Sequence, residues 1–353
     1  MGGGGAGLND ERRPAVLVRP TMREVAKRAG VSISTVSRVM SDHPDVSADT
    51  RERVQTAIQD LDYRRSMLAR GLILKRTNSL GLLVSDITNP FYPQLALGIE
   101  DKASEAGWVL IMSNTERDGQ RLDSYVDAML ERAVDGMIFG SVMVGDEIVP
   151  RLVESGYPVV LVNRRHPDVE TNMVIVDNVR GAALAAEHLH SLGHRRVAHI
   201  AGPAWATNAL DRRSGFLETM RRLGAPVSDD LVVEGDFSLE GGAAAMKQLL
   251  ESAEPPTAVF ATNDLMALGA MEALLEAGLS CPEDVSIVGF DDIELSRSKL
   301  IELTTVSHRI YEMGSRSVEI LLQVIHDGSP TTPIREFLQP RLVVRRTTAE
   351  LPH

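Results

Sequence analysis

Three side chains near the front of the chain are of types that read nucleic-acid bases. Ile33, Ser34 and Arg38 lie within the stretch Thr21 to Met40, two apolar-spaced segments separated by Ala29, Gly30 and Val31. An arginine can donate to guanine O6 and N7 together, a bidentate contact that discriminates by about 1–3 kcal/mol. A serine hydroxyl donates or accepts, and an isoleucine can meet a thymine methyl. A second set has the chemistry of a polyol site: Asp86, Asn89, Phe91, Tyr92, Ser113, Asn163, Arg164, Arg212, Phe237, Asn263, Asp264 and Asp291. Carboxylates, amides and guanidinium groups bond hydroxyls, while a ring can cover an apolar sugar face. Catalytic constellations do not stand out. No glycine-rich nucleotide loop follows a strand-like run, and no Gly-Xaa-Ser-Xaa-Gly elbow occurs. His188 and His190 are two apart, off a common helical face, and His194 and His199 have no cysteine or carboxylate cluster near them. The single cysteine, Cys281, forms neither an internal disulfide nor the usual zinc cluster. The expectation is no enzyme, no metal and no cofactor.

The base-reading candidates need a rigid support, and the sequence supplies one. Thr21 with Glu24 makes a capping-box pattern ahead of Val25 and Ala26, and Gly30 breaks the helix so opened. Ser32 caps a second helix with Val36 and Val39 facing inward. Ser47 caps a third, where Val54, Ala57, Ile58 and Leu61 recur at helical spacing. A tight turn holding two such helices at a steep angle is a helix-turn-helix, which lays its second helix in the major groove.

The polyol set lies at the ends of apolar runs. Strand-like segments at 80–85, 108–112, 136–139, 158–162, 174–176, 196–200, 257–261 and 285–289 alternate with helical stretches such as 92–106, 180–192 and 265–277. That alternation predicts parallel sheets covered on both faces, in enough chain for two lobes. Ligands of such sheets bind beyond the carboxyl ends of the strands, where the polyol set falls. Asp264 and Asp292 suit helix or loop caps better than ligand contacts.

Charge separates the two regions. Residues 19–76 carry 12 basic and 7 acidic side chains, whereas the 353-residue chain carries 37 and 49. A basic front end on an acidic body fits a polyanion met by the front end alone. With 43% hydrophobic and 24% charged residues, no apolar run of about 18 and no signal-peptide pattern, the chain reads as a cytoplasmic globular protein with no membrane partner. The glycine-rich residues 1–20 read as a flexible tail.

The residues quoted above resemble the lactose/galactose repressor family of bacterial transcription regulators. The resemblance extends through Val46-Ser47 with Thr50-Arg51-Glu52-Arg53-Val54, Ala69-Arg70-Gly71-Leu72, the block from Gly81 to Tyr92, Val288-Gly289-Phe290-Asp291-Asp292 and Arg341-Leu342-Val343-Val344-Arg345. It implies an N-terminal all-α helix-turn-helix DNA-binding domain at 21–65, a hinge helix and linker at 66–78, and a two-lobed, periplasmic-binding-protein-like α/β sensor domain at 79–353. It implies a homodimer on a pseudo-palindromic double-stranded operator, repression of sugar-use genes, and a small sugar or sugar derivative as allosteric effector. Leu72 would wedge into the minor groove beside Ala69 and Arg70, while Thr21, Ser32 and Tyr63 would position phosphates. The effector set becomes Phe91, Tyr92, Asn163, Arg212, Phe237, Asn263 and Asp291. Asn163 departs from a frequent aspartate and His308 from a frequent glutamine; in the hinge, Arg65, Gly71 and Ile73 depart as well. The dimer surface would use residues 92–106 and 121–133, and the absence of a leucine heptad tail points away from a tetramer. Two other readings stay open: a transport-type sugar receptor, which leaves the basic front end unexplained, and an architectural DNA protein that has lost its ligand.

Overall fold

The computed structural model describes residues 20–63, 76–115, 121–328 and 330–351. Two compact units divide between Thr77 and Asn78.

The first unit holds helices α1 (Met22–Ala29), α2 (Ile33–Met40) and α3 (Ala48–Asp60). Val25, Val36 and Val54, one from each helix, are fully buried and meet with Ala26, Ala29, Val39, Ala57 and Tyr63 in a small core. Gly30 ends α1 in the left-handed conformation at φ +66°, where a side chain would be strained. Arg53 of α3 donates to the Ala29 carbonyl at 2.6 Å, tying the turn to the third helix. Ile58 and Leu61, expected inside, are only partly buried.

The second unit contains two six-stranded sheets. In chain order its elements are β1 (Ser79–Val84), α4 (Phe91–Glu105), β2 (Val109–Asn114), α5 (Leu122–Glu131), β3 (Gly136–Phe139), α6 (Ile148–Glu154), β4 (Val159–Val162) and β5 (Asn172–Val176). There follow α7 (Asn178–Ser191), β6 (Val197–Ala201), α8 (Thr207–Arg222), β7 (Val232–Glu234), α9 (Leu239–Leu250), β8 (Ala258–Ala261), α10 (Asp264–Glu276) and β9 (Ser286–Asp291). The last are β10 (Thr304–Ser307), α11 (Ile310–Asp327), β11 (Arg335–Leu338) and β12 (Arg341–Val343). The first sheet runs β11-β5-β4-β3-β1-β2 and the second β12-β10-β9-β8-β6-β7. The chain passes between the sheets after β5, after β10 and after β11.

All eight expected strands are present. Four were not legible: β7, β11 and β12 are short edge strands with charged residues, and the buried β10 is Thr-Thr-Val-Ser, short of hydrocarbon. The first sheet is wholly parallel, but β12 is antiparallel to β10. Only Gln339 and Pro340 separate β11 from β12, too short for a parallel crossover, which needs a dozen or more residues. The chain therefore steps straight from one sheet to the other. Each lobe has apolar layers on both sheet faces, as parallel sheets require. In the first lobe α4 and α11 approach so closely that a Cβ on Gly98 would lie 2.1 Å from the Tyr311 carbonyl oxygen, and one on Gly314 2.4 Å from that of Leu95. Among the described residues no helix is long and apolar enough to cross a membrane.

Candidate DNA-reading face and inter-lobe cleft

The start of α2 is built by hydroxyls. Ser32 Oγ accepts from the Thr35 amide at 3.1 Å and lies 2.7 Å from Ser34 Oγ and 2.8 Å from Thr35 Oγ1. With Val36 and Val39 turned into the core, Ile33, Ser34 and Arg38 remain exposed. The Arg38 guanidinium has no carboxylate partner among the described residues. At the start of α1, Thr21 donates through its amide (2.6 Å) and its hydroxyl (2.9 Å) to Glu24, and these bonds hold the Glu24 carboxyl below its ordinary range. The Tyr63 ring is buried in the three-helix core. Ala69, Arg70 and Leu72 lie outside the described residues.

The seven residues assigned to the effector line one cleft. The strand ends explain why. Phe91 and Tyr92 open α4 beyond β1, with Ser85 Oγ bonded to Tyr92 Oη at 2.7 Å. Asn163 follows β4 at φ +67°, Phe237 follows β7 at φ +67°, and Asp291 ends β9 at φ +129°. Non-glycine residues in such conformations store strain, commonly at functional sites. Asn263, beyond β8, caps α10 by accepting from the Met266 amide and donates to the Phe237 carbonyl at 3.0 Å. Arg212, on α8, is almost fully buried. Its Nε donates to Asn178 Oδ1 at 2.8 Å, and its Nη1 to the Thr262 carbonyl at 2.7 Å and to Asp291 Oδ1 at 3.3 Å. The guanidinium stacks on Phe290 at 3.6 Å. Burial lowers its pKa and Asp291 counters that pull.

The cleft also takes in Ser85, Asp86, Asn89, Arg164, Trp205, Asn208 and Asp236. Asp86, Asn89 and Arg164 were visible as strand-end residues. Asn208 lies one helical turn before Arg212, so a shared face was available as a signal. Asn208 donates to Asn163 Oδ1 at 3.3 Å, bridging the lobes. Trp205 follows β6 at the carboxyl end, where the strand-end rule points. Arg164 is buried and lies over the rings of Trp205 (5.0 Å) and Phe237 (5.4 Å).

Other strand-end residues do not line the cleft. Ser113 falls within β2. Asp264 is fully buried and accepts from the Ile293 amide and the Ser296 hydroxyl, with burial and then Asp291 pushing its pKa up to about 7. Asp292 is clamped by Arg297 at 2.9 Å and Arg345 at 2.6 Å. Both serve as loop ties. His308 stacks on Phe91 at 5.3 Å, behind the cleft wall. Its Nε2 is 3.1 Å from Asp291 Oδ1 but off the line of a hydrogen bond, and burial lowers its pKa. Among the described residues no cluster of metal-ligating side chains occurs.

A helix-turn-helix unit joined in one chain to a two-lobed binding unit defines a ligand-responsive DNA-binding protein. Family models agree with each part: "Bacterial regulatory proteins, lacI family" matches residues 21–66, and "Periplasmic binding protein-like domain" matches 186–348. The ribose operon repressor of Escherichia coli (strain K12) is 37% identical over 308 residues, covering 86% of this chain and 93% of its own. A crystal structure of the lac repressor dimer bound to operator and the anti-inducer ONPF is 32% identical, with TM-score 0.85 over 94% of this chain and 99% of that one. A complex of the transcriptional regulator CelR with cellobiose is 34% identical, with TM-score 0.72 over 93% and 100%. The chain belongs to the lacI family of bacterial regulatory proteins. It is a DNA-binding transcriptional regulator and not an enzyme.

Proposed function

We propose that the chain is a homodimeric repressor of sugar-utilisation genes, and that a small sugar or sugar derivative in the inter-lobe cleft sets its hold on a pseudo-palindromic operator. The observation that carries this reading is the cleft itself, where rings, amides, carboxylates and buried guanidinium groups converge from the strand ends of both sheets. The similar proteins include a ribose operon repressor and a cellobiose-bound regulator, which supports a sugar as effector. Ile33, Ser34 and Arg38 read bases, while Thr21, Ser32 and Tyr63 position the backbone. Ala69 and Arg70 belong to a hinge whose Leu72 wedges the operator centre, a kink costing a few kcal/mol that is offset by added contacts. Regulation takes place in the cytoplasm, where the operator is.

The effector acts by binding one lobe arrangement more tightly than another; equal affinity would shift nothing. Coupling of about 1–3 kcal/mol changes operator affinity about 5- to 150-fold. A second copy would pack on the surface of α4 and α5, where Leu97 and Leu130 are exposed, and so set the spacing of two half-sites. Fluorescence anisotropy with DNA from the gene's own upstream region, at two salt concentrations and with a sugar panel, tests the reading. Tight, salt-dependent binding altered by one sugar is the expected outcome. Specific binding indifferent to every sugar and sugar derivative would overturn the sugar assignment while leaving the regulator.

A further inference from the structure

Arg164 is the least explained group in the cleft. The residue is 4% exposed, and its Nε and Nη1 are buried with no hydrogen-bond partner among the described residues. No described carboxylate pairs with it. The rings of Trp205 and Phe237 offset only part of the cost of desolvating a cation. Arg212, on the same cleft, also keeps a buried Nη2 without a partner, although Asn178, Thr262 and Asp291 engage its other nitrogens. Asp86 and Asp236 also line the wall and keep their charge, but their oxygens bond Thr88 and Ser238 rather than Arg164, and Asp291 bonds Arg212. The cleft therefore holds two desolvated guanidinium groups with three buried N–H-bearing nitrogens unmet.

Resting on the reading of this cleft as the effector site, we infer that the effector is anionic, a sugar acid or a sugar phosphate whose charged group docks on Arg164 and Arg212 Nη2. A carboxylate or phosphate oxygen supplies the acceptor each orphaned nitrogen lacks, and guanidinium forks match either anion. Asn89, Asn163, Asn263 and the aspartates take the hydroxyls at the other end. A neutral sugar offers Arg164 only hydroxyl acceptors, which make weaker bonds to a guanidinium than an anionic oxygen does.

Trp205 lines the cleft, so its fluorescence reports occupancy. Full-length protein is titrated with matched sets: glucose, glucuronate and glucose 6-phosphate; galactose, galacturonate and galactose 6-phosphate; ribose and ribose 5-phosphate. Inorganic phosphate is titrated alone. In a set that binds, the anionic member is expected to bind about 10- to 100-fold more tightly than its parent, the range for a charge-assisted hydrogen bond. The carboxylate and phosphate arms identify which anion is preferred. Arg164→Met should remove that margin and Arg164→Lys restore part of it, with thermal unfolding checking that each variant folds. A neutral parent binding as tightly as its anion, or a margin unchanged in Arg164→Met, overturns the proposal. If no sugar of any kind binds, the sugar reading falls, and inorganic phosphate decides the anion site separately. Saturable quenching lost in Arg164→Met supports the site; no response overturns it.

Discussion

The helix-turn-helix face and the cleft both present arginine, yet they place it in opposite surroundings. Arg38 is exposed and solvated on a short helix held by a core of a few valines and alanines. Arg212 is sealed between Asn178, Thr262, Asp291 and the face of Phe290. An exposed arginine costs little to keep and can be lost without harming the fold. A buried one is part of the fold, because its partners have no water to turn to. A change in the head should therefore alter recognition alone, whereas a change in the cleft should alter recognition and stability together.

The largest test of that contrast is Arg212→Ala. Removing one partner of a buried pair leaves Asp291 uncompensated, and the expected cost is about 3–5 kcal/mol of stability together with loss of effector binding. Urea unfolding followed by the fluorescence of Trp108 and Trp205, both in the binding unit, measures the first, and effector titration the second. Unchanged stability with lost binding would break the comparison.

A second test uses pH. His199 is fully buried among Phe216 and Phe260, with Nδ1 3.0 Å from the Phe260 carbonyl oxygen and Nε2 unpartnered among the described residues. Burial lowers its pKa from 6.5 to about 4. Between those values the unfolded chain binds the proton and the folded chain does not, so stability is lost as pH falls from 6.5 to 4. Asp264 acts in the opposite sense, since its raised pKa makes the folded state the better proton binder between 3.8 and about 7. His199→Leu isolates the histidine: relative to the natural protein it should gain about 3 kcal/mol on going from pH 7.5 to 4. A pH-independent difference between the two would show that His199 is not held neutral. The head offers no counterpart, for no histidine among its described residues is buried.

The same contrast explains what was legible in the sequence. The reading face is local: capping signals, a glycine and four valines within twenty residues specify both the helices and the side chains left outside. The cleft is assembled from positions spread between Ser85 and Asp291, so only the rule that strand ends gather ligands could reach it. That rule found Asp86, Asn89 and Arg164 and could have reached Trp205, which follows β6 at its carboxyl end, while Asn208 is marked only by the helical face it shares with Arg212. It also drew in Ser113 and Asp264, one still inside its strand and the other turned to tie a loop. The edge strands β7, β11 and β12 were missed because three or four residues with charges leave little apolar pattern to see.

Two smaller effects sharpen the picture of the head. Arg38→Ala should leave its unfolding unchanged, cost about 1–3 kcal/mol of operator binding, and relax base choice at one position per half-site. Anisotropy against operators varied base by base measures this, and an unaltered profile would remove Arg38 from the reading face. Ser32 then separates capping from phosphate contact. Its hydroxyl accepts the Thr35 amide and anchors Ser34 and Thr35, so Ser32→Ala should lower the stability of the head by about 1 kcal/mol. Aspartate caps a helix as well as serine does, yet its charge repels a phosphate. Ser32→Asp should therefore keep the head folded while weakening operator binding below that of Ser32→Ala at low salt. Equal affinity in the two variants would make Ser32 a cap alone, and the backbone contact would then have to come from its neighbours.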